Sequence, residues 1–251
     1  MTGFKAEKHP PWKSTALPAL DSLEPNRNRA YKRRVKLLHD GPANSPHHLL
    51  LAHGAGAPMD SDFMNAIAEG LGKSGVRVTR FEFPYMAQRR EGGSRRPPDR
   101  APKLLASFKE AMATCGPCPH GLWISGKSMG GRMATLLAAE TPDPTLPAIA
   151  GCLCLGYPFH PPGKPDRLRT DHLAAITQPV LIVQGARDPF GTAEELPGFN
   201  LPDGFETQIL EDGDHSFKPR KRSGRTHTQA LAEAVNAMTV FMERYSKSPT
   251  T

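Results

Sequence analysis

Four short, unbroken apolar runs constrain this chain more than any other feature of its 251 residues: residues 49–52 (Leu-Leu-Leu-Ala), 122–124 (Leu-Trp-Ile), 149–155 (Ile-Ala-Gly-Cys-Leu-Cys-Leu) and 180–183 (Val-Leu-Ile-Val). A strand with one wet face alternates apolar and polar residues. A strand covered on both faces does not, and that is the pattern of a parallel sheet lined by helices. Segments with helical spacing fall between the runs. Ser61 or Asp62 can cap a helix that carries Phe63, Ile67 and Leu71 and stops near Gly72 or Gly75. Residues 104–112, 129–140 and 228–245 read as three more helices, residues 35–38 as an edge strand, 76–83 as an alternating strand and 207–210 as a last strand. The order predicts an α/β fold, a mostly parallel twisted sheet with helices on both faces. Residues 1–30, rich in Pro, Lys and Asn without a period, read as a tail or irregular wrap, and residues 31–247 as one domain.

In such a sheet the loops after the strands hold the chemistry. Residues 126–130, Gly-Lys-Ser-Met-Gly, follow the run at 122–124 and match G-x-S-x-G, in which a serine sits on a tight strand-to-helix turn. The same stretch satisfies a phosphate-loop pattern from Gly121 to Ser128, but there the apolar strand lies between the glycines instead of before them, which excludes a flexible phosphate-wrapping loop. A serine nucleophile calls for an acid and then a histidine after later strands. Asp188 follows the run at 180–183, and His215 follows the strand at 207–210. The expected catalytic set is therefore Ser128, Asp188 and His215, with His215 as base and Asp188 as the acid that orients it. Asp212 and Asp214 lie too close to His215 along the chain for that task and are expected to stabilise their loop. The oxyanion donors are expected to be the N–H groups of Met129 and of Ala55, in the turn His53-Gly54-Ala55-Gly56. His53, Gly56, Tyr85, Tyr157 and His160, all placed after strands, are candidate pocket residues, with His53 chiefly shaping its turn and Phe159 equally a packing residue. Lys127 is expected to point away from the site.

Composition narrows the alternatives. No apolar run approaches the roughly 18–20 residues of a membrane span. The first dozen residues lack a secretory apolar stretch, so a cytoplasmic location is expected. The net charge of +7 is concentrated in Arg89, Arg90, Arg95, Arg96 and Arg100 and in Lys218, Arg220, Lys221, Arg222 and Arg225. Neither group has the interleaved aromatics of a nucleic-acid platform, so nucleic acid is not the expected partner. If both flank the mouth of the site, they favour an anionic substrate. Cys115 and Cys118 are spaced like a redox pair but close a helix instead of opening one, and Cys152 and Cys154 read as core residues. No metal site or cofactor is expected.

Five stretches carry a family resemblance: residues 51–60 (Leu-Ala-His-Gly-Ala-Gly-Ala-Pro-Met-Asp), 81–86 (Phe-Glu-Phe-Pro-Tyr-Met), 126–133 (Gly-Lys-Ser-Met-Gly-Gly-Arg-Met), 156–164 (Gly-Tyr-Pro-Phe-His-Pro-Pro-Gly-Lys) and 214–217 (Asp-His-Ser-Phe). With them the chain resembles the small bacterial α/β-hydrolases related to dienelactone hydrolase. Within these it is similar to the group that includes the testis-expressed hydrolase-like proteins and one subunit of a non-specific-lethal chromatin complex. The resemblance implies a serine-hydrolase fold without a large cap domain, while the Ser128, His215 and Asp188 set itself points to a small-molecule ester or acyl substrate. The group also contains scaffolds, so a catalytically idle partner-binding protein is the alternative. Dienelactone hydrolases resemble cysteine enzymes at the nucleophile, whereas residue 128 is serine, and lactone specificity does not carry over.

Overall fold

A computed structural model describes residues 36–94 and 96–246. The expected tail at 1–30, Val35 and Arg95 lie outside the described residues. The strands are β1 (Leu37–Asp40), β2 (His48–Ala52), β3 (Arg77–Phe81), β4 (Leu122–Lys127), β5 (Ile149–Leu155), β6 (Val180–Gly185) and β7 (Phe205–Leu210). The helices are α1 (Asp62–Lys73), α2 (Pro84–Arg90), α3 (Ala101–Thr114), α4 (Met129–Ala138) and α5 (His227–Ser246). The seven strands form one sheet in the order β1-β3-β2-β4-β5-β6-β7. Only β1 runs antiparallel, against β3; every other pairing is parallel.

The unbroken apolar runs sort their side chains by parity into two cores. Leu50, Ile124, Cys152, Cys154 and Ile182 pack with Leu104, Phe108 and Met112 of α3 and Met133 and Leu137 of α4. Leu49, Leu51, Trp123, Leu153, Leu155 and Val183 face the other way, onto Ile67 and Leu71 of α1 and Met238, Phe241 and Met242 of α5. Both faces are dry, as their lack of alternation requires. The segment between β5 and β6 holds one 3-10 turn, Leu173–Ala175, and no large cap covers the sheet among the described residues.

Two local expectations are corrected. Helix α2 replaces the first part of the expected basic loop, because Pro84 supplies the fixed φ that suits a first helical position after the extended Phe83. Arg89 and Arg90 thus end a helix. The second basic segment also contains a 3-10 turn, Lys221–Ser223.

Candidate active site

The turn from β4 into α4 places Ser128 at φ 52° and ψ −112°, a region that non-glycine residues rarely occupy. The sharpness of the turn leaves no space beside it. A Cβ on Gly126 would lie 2.2 Å from the Gly130 carbonyl carbon, and one on Gly130 would lie 2.7 Å from the Ala52 and His53 carbonyl oxygens. The Ser128 N–H is held by the Leu155 carbonyl of β5 at 2.9 Å.

Asp188 and His215 arrive from the loops after β6 and β7, and these loops are tied together where the Arg187 N–H donates to the Gly213 carbonyl at 2.9 Å. His215 Nδ1 donates to Asp188 Oδ2 at 2.7 Å. That bond fixes the tautomer and leaves Nε2 to accept from the Ser128 hydroxyl at 2.9 Å. Asp188 is fully buried, and its second oxygen accepts the Phe190 N–H at 2.9 Å. The carboxylate is therefore held at both oxygens and the imidazole in one orientation. Such a chain can pass the serine proton to the imidazole while the carboxylate stabilises the resulting charge. Asp214 behaves as a loop stabiliser, its Oδ1 accepting the N–H groups of Ser216 and Lys218 at 2.8 and 2.9 Å. Asp212 is ion-paired with Arg187 and Arg220, whose guanidinium holds its carboxyl down at about 2.

A cleft of about 340 Å³ opens over Ser128. Its walls are Gly54, Ala55, Gly56 and Ala57 after β2, Ser61, Phe63 and Met64 at the start of α1, Phe190, and His215 with Ser216. Met129 opens α4, so its N–H has no acceptor within the helix. Neither that N–H nor the Ala55 N–H donates to any acceptor among the described residues.

Ala55 and Gly56 thus line the cleft as expected, but four other candidates do not. His53 is fully buried, donates from Nδ1 to the Gly54 carbonyl at 2.7 Å and accepts the Phe83 N–H on Nε2 at 3.0 Å. Both ring nitrogens are committed, and burial lowers its pKa. Tyr85 packs beneath the same turn, its hydroxyl donating to the Ala55 carbonyl at 3.0 Å, and so supports the wall from behind. Tyr157 is buried with its hydroxyl on the Arg169 carbonyl at 2.8 Å. His160 is buried with Nδ1 on the Pro161 carbonyl at 3.0 Å and Nε2 3.4 Å from Glu195. Each follows a strand, but each side chain turns into the protein to satisfy a backbone carbonyl. Phe159 stacks on Phe199, a packing role.

The largest correction is Lys127. Its side chain is 8% exposed and lines the cleft floor, with Nζ donating to the His215 carbonyl at 2.6 Å. Parity along β4 is the signal that finds it: Lys127 lies four residues from Trp123 and so shares its face, toward α1 and α5. Among the described residues, the basic segments contribute nothing to the cleft walls. Arg90 is bound by Glu82 and Asp60, Arg220 by Asp212 and Arg225 by Glu233. Cys115 ends α3, and burial pushes its thiol up to about 12, the reverse of a reactive thiolate.

A family model described as an alpha/beta hydrolase domain matches residues 45–243, and the chain belongs to this family. Solved structures with the same fold include Est1E from Butyrivibrio proteoclasticus with ferulic acid bound, at 18% identity and TM-score 0.61 over 83% of this chain and 95% of that one. Dienelactone hydrolase from Anabaena variabilis matches at 20% identity and TM-score 0.60, over 85% and 94%. An alpha-beta serine hydrolase homologue from Coxiella burnetii matches at 17% and 0.56, over 83% and 89%. At these identities the likeness is one of fold.

Proposed function

We propose that this protein is a serine hydrolase that cleaves a carboxylic ester or related acyl bond. The observation that carries this reading is the unbroken chain Ser128–His215–Asp188, with hydrogen bonds of 2.9 and 2.7 Å, at the floor of an open cleft. In the proposed reaction Ser128 Oγ bonds to the substrate carbonyl carbon as its proton passes to His215 Nε2. The N–H groups of Ala55 and Met129 receive the developing oxyanion. Collapse breaks the ester C–O bond, His215 returns the proton to the leaving alcohol, and water activated by the same imidazole releases the acid.

The walls favour an uncharged acyl group. Ala55, Ala57, Phe63, Met64 and Phe190 are apolar, and Lys127, the one Lys or Arg lining the cleft among the described residues, already donates to a carbonyl. A carboxylate placed there would lose its hydration without gaining a partner. p-Nitrophenyl butyrate should therefore be hydrolysed faster than the p-nitrophenyl monoester of succinate, on the order of tenfold in kcat/KM. The reverse preference would reinstate the basic segments as substrate contacts.

The test of the chemistry is a fluorophosphonate. Ser128 Oγ would form a bond to phosphorus, the P–F bond would break, and fluoride would leave as His215 takes the hydroxyl proton. Intact mass should rise by one adduct in the wild type and by none in Ser128→Ala. A folded wild type that takes no adduct would overturn this reading in favour of an idle, partner-binding member of the family.

A further inference from the structure

Lys127 carries an amine that the reaction above does not use. It leaves β4 one residue before the nucleophile, on the opposite face from α4, and runs beneath the cleft to the back of the histidine loop. Its Nζ donates to the His215 carbonyl at 2.6 Å and lies 5.5 and 5.9 Å from the ring centroids of Phe63 and Phe217. A Cβ on Gly156 would lie 2.9 Å from this Nζ, 3.1 Å from the His215 carbonyl oxygen and 3.3 Å from Asp188 Oδ2. The ammonium, the main chain of the base and the carboxylate of the acid thus converge on one point. Gly156, the residue after β5, has φ +65° and no side chain to crowd the three groups.

We propose that Lys127 is a positioning residue for the triad: its ammonium ties the nucleophile strand to the main chain of His215 and balances the buried charge of Asp188. This inference rests on the serine-hydrolase reading.

Three observations support it. The hydrogen bond from the lysine to the reacting chain falls on the His215 carbonyl, so its influence passes through the main chain of the base. Its surroundings are those of a retained cation: one carbonyl, two aromatic faces, and the carboxylates of Asp188 and Asp214, the charged groups facing it from the loops after β6 and β7. Phe63 of helix α1 and Gly54 in the turn after β2 lie beside it. Finally, burial pushes the amine down to about 8, so the fold holds the ammonium against a desolvation cost, which a side chain kept only for packing would not incur.

The experiment follows the rate of fluorophosphonate labelling between pH 6.5 and 10 in wild type, Lys127→Met and Lys127→Arg, with melting curves at each pH. Wild-type labelling should decline as pH rises through about 8, where the amine loses its charge. Lys127→Met, of similar length and apolar, should label on the order of tenfold to a hundredfold more slowly at pH 7 and lack the alkaline step. Lys127→Arg, charged throughout, should also lack the step but keep more of the neutral rate. The folded amine releases its proton before the unfolded one, which titrates near 10.5. The unfolded chain therefore binds more protons in that window, and wild-type melting temperature should rise relative to Lys127→Met between about pH 8 and 10.5. Labelling profiles that superimpose in wild type and Lys127→Met, or a wild type without an alkaline step, would overturn the inference while leaving the serine chemistry intact. If Lys127→Met does not fold, the wild-type profile and Lys127→Arg still decide. A wild type that takes no adduct at any pH would overturn the hydrolase reading and this inference together.

Discussion

Gly126 shows how little latitude the nucleophile turn allows. A methyl group there meets backbone atoms, 2.2 Å from the carbonyl carbon of Gly130 and 2.5 Å from the nitrogen of Gly131, so no rotamer change relieves the contact. Gly126→Ala should cost about 1–3 kcal/mol or more, read as a lower urea midpoint, and should lose most fluorophosphonate labelling because the turn must open. An unchanged midpoint would mean that the turn has room for a methyl group. Asp188→Asn removes the charge and disturbs the tautomer that the 2.7 Å bond enforces, with near-isosteric packing. Labelling should fall about 10³–10⁴-fold with a near-normal melting temperature. That Ser128, Asp188 and His215 come together was legible in the sequence because each lies just after a strand, in the chain order that a nucleophile, acid and base would require. Tyr85, Tyr157 and His160 share that placement, but their side chains turn into the protein. Position after a strand sets where a backbone emerges, while the nearest unsatisfied carbonyl decides where a hydroxyl or imidazole goes. Lys127 departs from expectation for a related reason: the two-residue repeat of β4, not the turn after it, sets the direction of its side chain.

Among the elements, α5 has the most to hold. Its Met238, Phe241 and Met242 cover the face formed by Trp123, Leu153 and Leu181, and the Trp123 and Phe241 rings meet edge to face at 6.0 Å. Met238 is fully buried, so Met238→Ala should leave a cavity and cost about 2–5 kcal/mol, lowering the melting temperature by roughly 5–15 °C. A loss below about 1 kcal/mol would mean that α5 shifts to refill the space. The sequence located α1, α4, α5 and β2 through β7 within a few residues, because long amphipathic periods and dry strands leave strong patterns. It missed α2, whose seven residues span too few turns for a period to emerge and are nucleated by a single proline. Strand ends were underestimated at β4 and β6. Their last residues, Ser125, Gly126, Lys127, Gln184 and Gly185, are polar or glycine, yet all are buried where the strands run into the loops of the site.

For the whole molecule, a buried and a half-buried histidine shape the response to acid. His48, wedged between Thr79 and Cys118, is pushed down to about 4 by burial, with Arg77 and His39 adding to the effect. His172, bonded to Thr135, is pushed down to about 4 by burial and by Arg132. Unfolded histidine takes up its proton near 6.5, so below that pH the unfolded chain binds more protons than the native one. The stability these groups contribute is complete above pH 6.5 and is lost as the pH falls toward about 4. The urea midpoint should therefore decline from pH 6.5 to 4, with a shallower slope in His48→Gln. A midpoint that is level across that range would refute the argument. Among the described residues, no helix is long and apolar enough to cross a membrane.

The route by which the three site residues meet bears on how the protein matures. Ser128 and His215 stand 87 positions apart in the chain, and the sheet inserts β5 and β6 between the strands that deliver them. No fragment that ends before β7 can hold the imidazole against the serine, so a growing or refolding chain passes through most of its assembly chemically silent. Closing contacts of such long sequence separation is the slow part of folding. Recovery of serine reactivity after dilution from denaturant should therefore trail the recovery of helical signal, making the site a reporter of the last steps of sheet assembly.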